Sequence, residues 1–188
     1  MIFGFDFDNT LINYDKIFCT FAEAKKLIRK KSKKDKTSIK EKLFKEKKFR
    51  EWKELQSEVY SRGINKSKPN RELILILKFL KRKKIKYYIV SHKTKFPYYG
   101  EKINLHKISK DWLDNYIFNK KNGLGNCQYY FEPTLKKKIK RIRKLKITHF
   151  IDDLKEIIDL MPRKVVGILY KKKRTKLSQI KSLVTQQL

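Results

Sequence analysis

Phe5-Asp6-Phe7-Asp8-Asn9-Thr10 follows the apolar run Met1 to Phe5, and the change of character there decides how the chain reads. Residues 2–8 form a candidate buried strand. It ends by presenting two carboxylates two positions apart, then Asn and Thr. Side chains two apart on a strand share a face, so Asp6 and Asp8 are expected to point the same way. Two like charges so close are costly unless something compensates them, commonly a divalent cation. A hydrophobic strand that ends in paired acids is the pattern of an active site, where one acid attacks and the other handles a proton. The bland alternative, a merely polar strand end, loses weight because other strands end the same way.

Moving outward, apolar residues recur at helical spacing from Asp15 to about Ser61, with Phe18, Phe21, Ala22, Leu27 and Ile28 in the first part. Residues 29–40 are a basic run, expected as a loop or a solvated helix end. A second helix is expected over about 40–61, with Leu43, Phe44, Trp52, Leu55 and Val59 on one side. Gly63, Asn65 and Pro69 mark a break, and a third helix covers about 70–82. Lys86 to Val90 reads as a second buried strand that stops at Ser91-His92-Lys93-Thr94. A helix over 105–117, a short strand at 129–131 and a very basic helix over 135–145, capped by Thr134, come next. Thr148 to Ile151 is a short strand ending in Asp152-Asp153. A helix over 154–160, a last strand over 164–170 and a short helix within 176–188 complete the chain.

Strands alternating with helices predict an α/β fold, a Rossmann-like parallel sheet flanked by helices. In such sheets ligands bind beyond the carboxyl ends of the strands. Three strands end there in reactive types of side chain: Asp6 and Asp8, Ser91, and Asp152 with Asp153. Each also has an ordinary reading. Acids favour helix N-termini, which would account for Asp152-Asp153. Ser91 would then be a turn serine; His92 and Lys93 either contact substrate or are solvated loop residues. Trp52 and Trp112, at helical spacing, read as core rather than as stacking platforms.

The chain's 188 residues suffice for one good core. Hydrophobic residues make up 40% and aromatics 13%, so the chain is expected to fold. The longest nearly unbroken apolar stretch, Leu73 to Leu80, contains Lys78 and is too short to span a bilayer. Asp6 and Asp8 interrupt the only apolar start, so no signal peptide is expected. Cys19 and Cys127 make no disulfide framework, and a reduced cytoplasmic location is the simplest expectation. Charge is extreme: 50 Lys+Arg against 19 Asp+Glu, net +31. Such an excess attracts polyanions. The favoured explanation is nonetheless compositional, because abundant Lys, Ile and Asn are what an AT-rich genome imposes on solvated surfaces. Nucleic acid is therefore a possible partner but not the favoured one. No zinc finger, RNA-binding aromatic signature or repeat stands out.

Taken in order, these pieces resemble the haloacid dehalogenase (HAD) superfamily, and within it a small, mostly uncharacterised phosphatase-like subgroup. Its Asp-x-Asp-x-Thr motif is matched by Asp6-Phe7-Asp8-Asn9-Thr10, its strand-closing Ser or Thr by Ser91, and its late acidic pair by Asp152-Asp153. A phosphate-binding Lys belongs ahead of that pair, where Lys136, Lys137, Lys138 and Lys140 all qualify. The subgroup pattern, seen here as Phe131-Glu132-Pro133-Thr134-x-x-x-Lys138-Ile139, implies Lys138. The same subgroup carries Ser-His-Lys-Thr, here residues 91–94, and a Trp-x-x-Leu-Gln with a following Val-Tyr, here Trp52 to Tyr60.

The resemblance implies Asp6 as nucleophile and Asp8 as the acid and base that serves the leaving oxygen and then water. It implies Mg²⁺ held by Asp6, the backbone carbonyl of Asp8, and Asp152, with Asp153 nearby. Thr10, Ser91, His92 and Lys138 are implied at the phosphate. Residues 1–11 and 85–188 would form the core, and 12–84 a mostly helical cap that selects substrate. The expected activity is Mg²⁺-dependent hydrolysis of a small phosphorylated metabolite through an aspartyl-phosphate. The alternatives are a nucleotide or nucleic-acid end phosphatase using the basic surface, and a non-catalytic binding module of the same fold.

Overall fold

The computed structural model describes residues 1–31, 34–125, 127–172, 175 and 177–185. Five parallel strands form one sheet in the order β5-β4-β1-β6-β7. They are β1 (Ile2–Phe5), β4 (Lys86–His92), β5 (Tyr129–Glu132), β6 (His149–Asp152) and β7 (Val166–Leu169). Two short strands, β2 (Ile12–Asn13) and β3 (Lys68–Pro69), pair antiparallel outside this sheet. Neither was expected, since two residues carry no periodicity. The chain winds outward from β1 through β4 to β5, then returns to the other side of β1 for β6. That reversal places a crevice at the carboxyl end of β1.

Alternation along the strands sorts the core into two layers. Phe3, Phe5, Tyr87, Ile89 and Ile151 face the larger cluster, whereas Tyr88, Val90 and Phe150 join Ile142 and Ile147 on the other side. Helix α4 (Arg71–Arg82) covers the first side, packing on β4 and on α8 (Leu177–Thr185). Its Leu73, Ile74, Ile76, Leu77, Phe79 and Leu80 are buried, the wide apolar face of a helix lying on a sheet. Helix α6 (Leu135–Lys144) packs on β4 and β5, and α7 (Lys155–Asp159) on β6 and β7. Thr134 caps α6 by accepting from the Lys137 amide at 3.2 Å.

Between β2 and β3 the chain forms α1 (Asp15–Ala24), α2 (Lys36–Lys45) and α3 (Phe49–Ser61), which pack on one another. Helix α5 (Leu105–Tyr116) also touches α3. Trp52 is buried and stacked on Phe18 at 5.4 Å, and Trp112 is buried against Phe7 and Tyr116, so both tryptophans are core. Within the stretch 12–84, α1 to α3 pack on one another, while α4 packs on β4 and α8.

Three local expectations change. The strand expected over 2–8 ends at Phe5, and only the Asp6 amide continues the ladder, donating to Ile151 O at 2.8 Å. Asp6 to Asn9 then turn, with Asn9 left-handed at φ 58°. Asn tolerates that conformation better than most residues. The helix expected over 40–61 is two helices, separated at Lys47 with φ 57°. The first of them begins inside the basic run, where Asp35 caps it by accepting from the Ser38 amide at 2.8 Å. Ser32 and Lys33, also in that run, lie outside the described residues.

Candidate active site

The ends of β1, β4 and β6 and the second turn of α6 bring charged and hydroxyl side chains to one crevice. Asp6 follows β1, Ser91 and His92 close β4, Asp152 closes β6 with Asp153 next, and Lys138 enters from α6. Ser91 Oγ donates to Asp6 Oδ1 at 2.9 Å. Lys138 Nζ donates to the same oxygen and to Asp152 Oδ2, each at 2.6 Å. Both bonds to Asp6 fall on Oδ1, and its Oδ2 accepts none from the described residues. The Leu154 amide donates to Asp152 Oδ1 at 3.0 Å. Asp6, Ser91, Lys138 and Asp152 are all buried.

Burial sets the electrostatics. It pushes the Asp6 carboxyl up to about 6; Lys138 opposes, and the Asp152 and Asp8 carboxylates add to the rise. Asp153 is likewise raised to about 6, by burial first and then by Asp6, against Lys36 and Lys138. Burial also raises Asp152, with Lys138 opposing. For the Lys138 ammonium, burial acts downward, but Asp6 and Asp152 outweigh it and leave it raised. Asp6, Asp152 and Asp153 each offer an oxygen, and these atoms lie within 4.8 Å of one another. Three hard oxygen donors with one ammonium among them fit a small divalent cation such as Mg²⁺.

Asp8 stands apart from this trio. Its carboxylate grips Lys93 through both oxygens, at 2.9 and 2.8 Å, and Lys93 is buried. Lys93 Nζ also lies 5.3 Å from the Phe7 ring and 5.1 Å from the Tyr60 ring. Asp8 and Asp6 reach the same cavity because the chain turns after β1, and strand alternation is not the cause. Thr10 is fully buried behind the acids, where its hydroxyl donates to Asp153 Oδ1 at 3.3 Å. It does not line the cavity. His92 is exposed at the mouth, with Nε2 3.2 Å from Pro133 O.

A cavity of about 210 Å³ opens above these groups. Its floor is Asp6, Asp8, Ser91, Lys138, Asp152 and Asp153, and its roof includes Lys36, Gln56, Ser57, Tyr60 and Tyr98. Lys36, the first residue of α2, is half-buried there. Burial alone would lower its ammonium, but the Tyr60 phenol and the Asp153 and Asp8 carboxylates raise it. Lys36 was not anticipated, because one Lys among so many carries no signal. Lys93 was visible in the Ser-His-Lys-Thr stretch as a candidate substrate contact, and the structure places it on Asp8.

No family model matches the chain, and no curated protein matches it. Among solved structures, a HAD-superfamily hydrolase from Ehrlichia chaffeensis, known from a crystal structure at 1.9 Å resolution, superposes with a TM-score of 0.56. The match covers 98% of this chain and 96% of that one, at 16% sequence identity. The fold is HAD-like. At that identity the likeness is one of fold. In this HAD-like sheet the β1 carboxyl end, where strand order reverses, is where Asp6 sits beside Ser91, Lys138 and Asp152.

Proposed function

We propose that the chain is a Mg²⁺-dependent phosphohydrolase that cleaves a phosphomonoester through an aspartyl-phosphate on Asp6. The observation that carries this reading is the Asp6 carboxylate itself. Ser91 and Lys138 hold one of its oxygens, and the other stays free at the floor of a cavity beside two further carboxylates. Carboxylates placed this way serve as covalent nucleophiles.

Asp6 Oδ2 attacks phosphorus, and the bond from phosphorus to the leaving oxygen breaks. Asp8 enters as the carboxylic acid and gives that oxygen its proton; as the resulting carboxylate it accepts a proton from the water that attacks the aspartyl-phosphate, which restores the acid. Inorganic phosphate leaves and Asp6 returns as a carboxylate. Ser91 and Lys138 hydrogen-bond the phosphoryl oxygens as charge shifts onto them. Lys93 holds the Asp8 carboxylate in place. Asp6, Asp152 and Asp153, with the Asp8 carbonyl, would hold Mg²⁺. Bound there, it supplies charge neutralisation for the acids and the incoming phosphate. The roof formed by α2 and α3 covers the cavity, whose size suits a small phosphorylated metabolite.

The test is phosphate release from a panel of phosphorylated metabolites and an aryl phosphate, with Mg²⁺ and with a chelator. Asp6→Asn and Asp8→Asn are expected to abolish turnover. Activity that survives either substitution, or that ignores the chelator, rules the mechanism out.

A further inference from the structure

The outer face of α6 gathers exposed cations on one side of a helix. Residues 133–148 hold eight cations and no acid. Lys138 and Ile142 point inward, and Lys136, Lys137, Lys140, Arg143 and Lys144 form one exposed stripe on the opposite side. No acid among the described residues pairs with any member of that stripe. Arg141, beside it, is tied to Glu132 at 2.7 Å and lies over the Tyr130 ring at 4.4 Å. Lys137, Lys140, Arg141 and Lys144 line a shallow hollow that ends at Glu132.

This arrangement works against the helix that carries it. Lys136 and Lys137 sit in the first turn, where the macrodipole favours acids. Lys136, Lys140 and Lys144 repel at one-turn spacing. Other helices carry opposite-charge pairs four apart that α6 lacks: Lys42–Glu46, Arg50–Glu54, Lys110–Asp114 and Lys155–Asp159. A compositional bias raises lysine everywhere, but it does not by itself set five exposed cations on one face of one helix.

We propose that the α6 stripe and its hollow bind the phosphodiester backbone of a nucleic acid. A row of exposed, unpaired cations neutralises the closely spaced phosphates of a strand and releases their counterions, an attraction that needs no exact register. A membrane surface fits less well, because the stripe has no apolar side chain to insert. Ile139, Ile142 and Leu145 all turn toward the protein. The proposal goes beyond the phosphatase reading and does not depend on it, since none of the stripe residues lines the acidic cavity.

The experiment is fluorescence anisotropy of the full chain with labelled oligonucleotides of about 20 nucleotides, single-stranded and duplex, titrated across NaCl. Lys136→Gln/Lys140→Gln/Lys144→Gln is compared with Lys102→Gln/Lys107→Gln/Lys121→Gln, which removes the same charge from exposed sites elsewhere. The α6 variant is expected to weaken binding about tenfold or more at 0.1 M salt and to flatten the salt slope by roughly 2 to 3. The control is expected to change affinity less than about threefold, and Lys→Arg at the same α6 positions to retain binding. Thermal melting confirms that each variant folds, and the α6 glutamines are expected to raise Tm by relieving repulsion. Equal losses in the two glutamine variants, or no binding by the native chain at low salt, overturn the proposal. So does a loss by the α6 variant confined to anionic phosphatidylserine vesicles.

Discussion

Lys138 is the residue on which the site's electrostatics turn. It bridges Asp6 and Asp152 with all three side chains buried. Removing one member of a buried ion network leaves uncompensated charge, so Lys138→Met is expected to cost about 3 kcal/mol in urea unfolding at neutral pH without divalent ions. The deficit should shrink toward pH 5. Asp6 and Asp153 titrate near 6 in the fold against an ordinary value of 3.8. Between those values the folded state holds protons that the unfolded state has lost. Their contribution to stability therefore falls as pH rises through that window and is level above it. A cation that needs the ionised acids reverses this cost. About 5 mM Mg²⁺ should raise Tm more near pH 7.5 than near pH 5, and an equal rise at both would count against these acids as its ligands. Asp6, Ser91 and Asp152 were legible because each closes an apolar strand with a reactive side chain. Lys93 and Lys36 were not, because their roles come from partners that only the fold supplies: Asp8 for one, Asp153 and Tyr60 for the other.

At the scale of the element, β1 sets the geometry. It is the middle strand, and its Gly4 faces Phe150 across β6 so closely that a Cβ would lie 2.5 Å from the Phe150 ring and 2.9 Å from Ile147 Cδ1. Gly4→Ala is expected to destabilise by about 1–3 kcal/mol, read as a lower denaturation midpoint with unchanged slope. The strain falls on the strand that delivers Asp6, so activity should drop with stability. The sequence made α4, α5 and α6 readable because each has a periodic run with a cap or a break at its ends, and β4 because its apolar run stops abruptly at polar residues. It misread 40–61 as one helix because the apolar spacing carries on across Lys47, where the backbone is left-handed without a glycine to announce it. It extended β1 past Phe5 because Phe7 continues the apolar alternation. In the fold Phe7 is instead a buried turn residue packed on Trp112 and Phe131.

For the whole molecule the governing number is the charge. The acids can neutralise at most 19 of 50 cations, however they are arranged, so self-repulsion accompanies the folded state. Helices α3 and α5 compensate their cations locally with acids one turn away, whereas α6 holds no acid and leaves its stripe uncompensated. The linear charge count could not separate these cases, because pairing depends on which residues share a face. Salt screens exposed charges over about 10 Å at 0.1 M, and it weakens repulsion and exposed ion pairs alike. With a net charge of +31 repulsion is the larger of the two. Raising NaCl from about 20 mM to about 0.5 M should therefore increase Tm, by about 3 °C for each kcal/mol of repulsion relieved. A Tm that falls over that range would mean that surface ion pairs outweigh the net charge. The rise should be smaller in the α6 glutamine variant, since part of the repulsion that salt relieves lies between Lys136, Lys140 and Lys144.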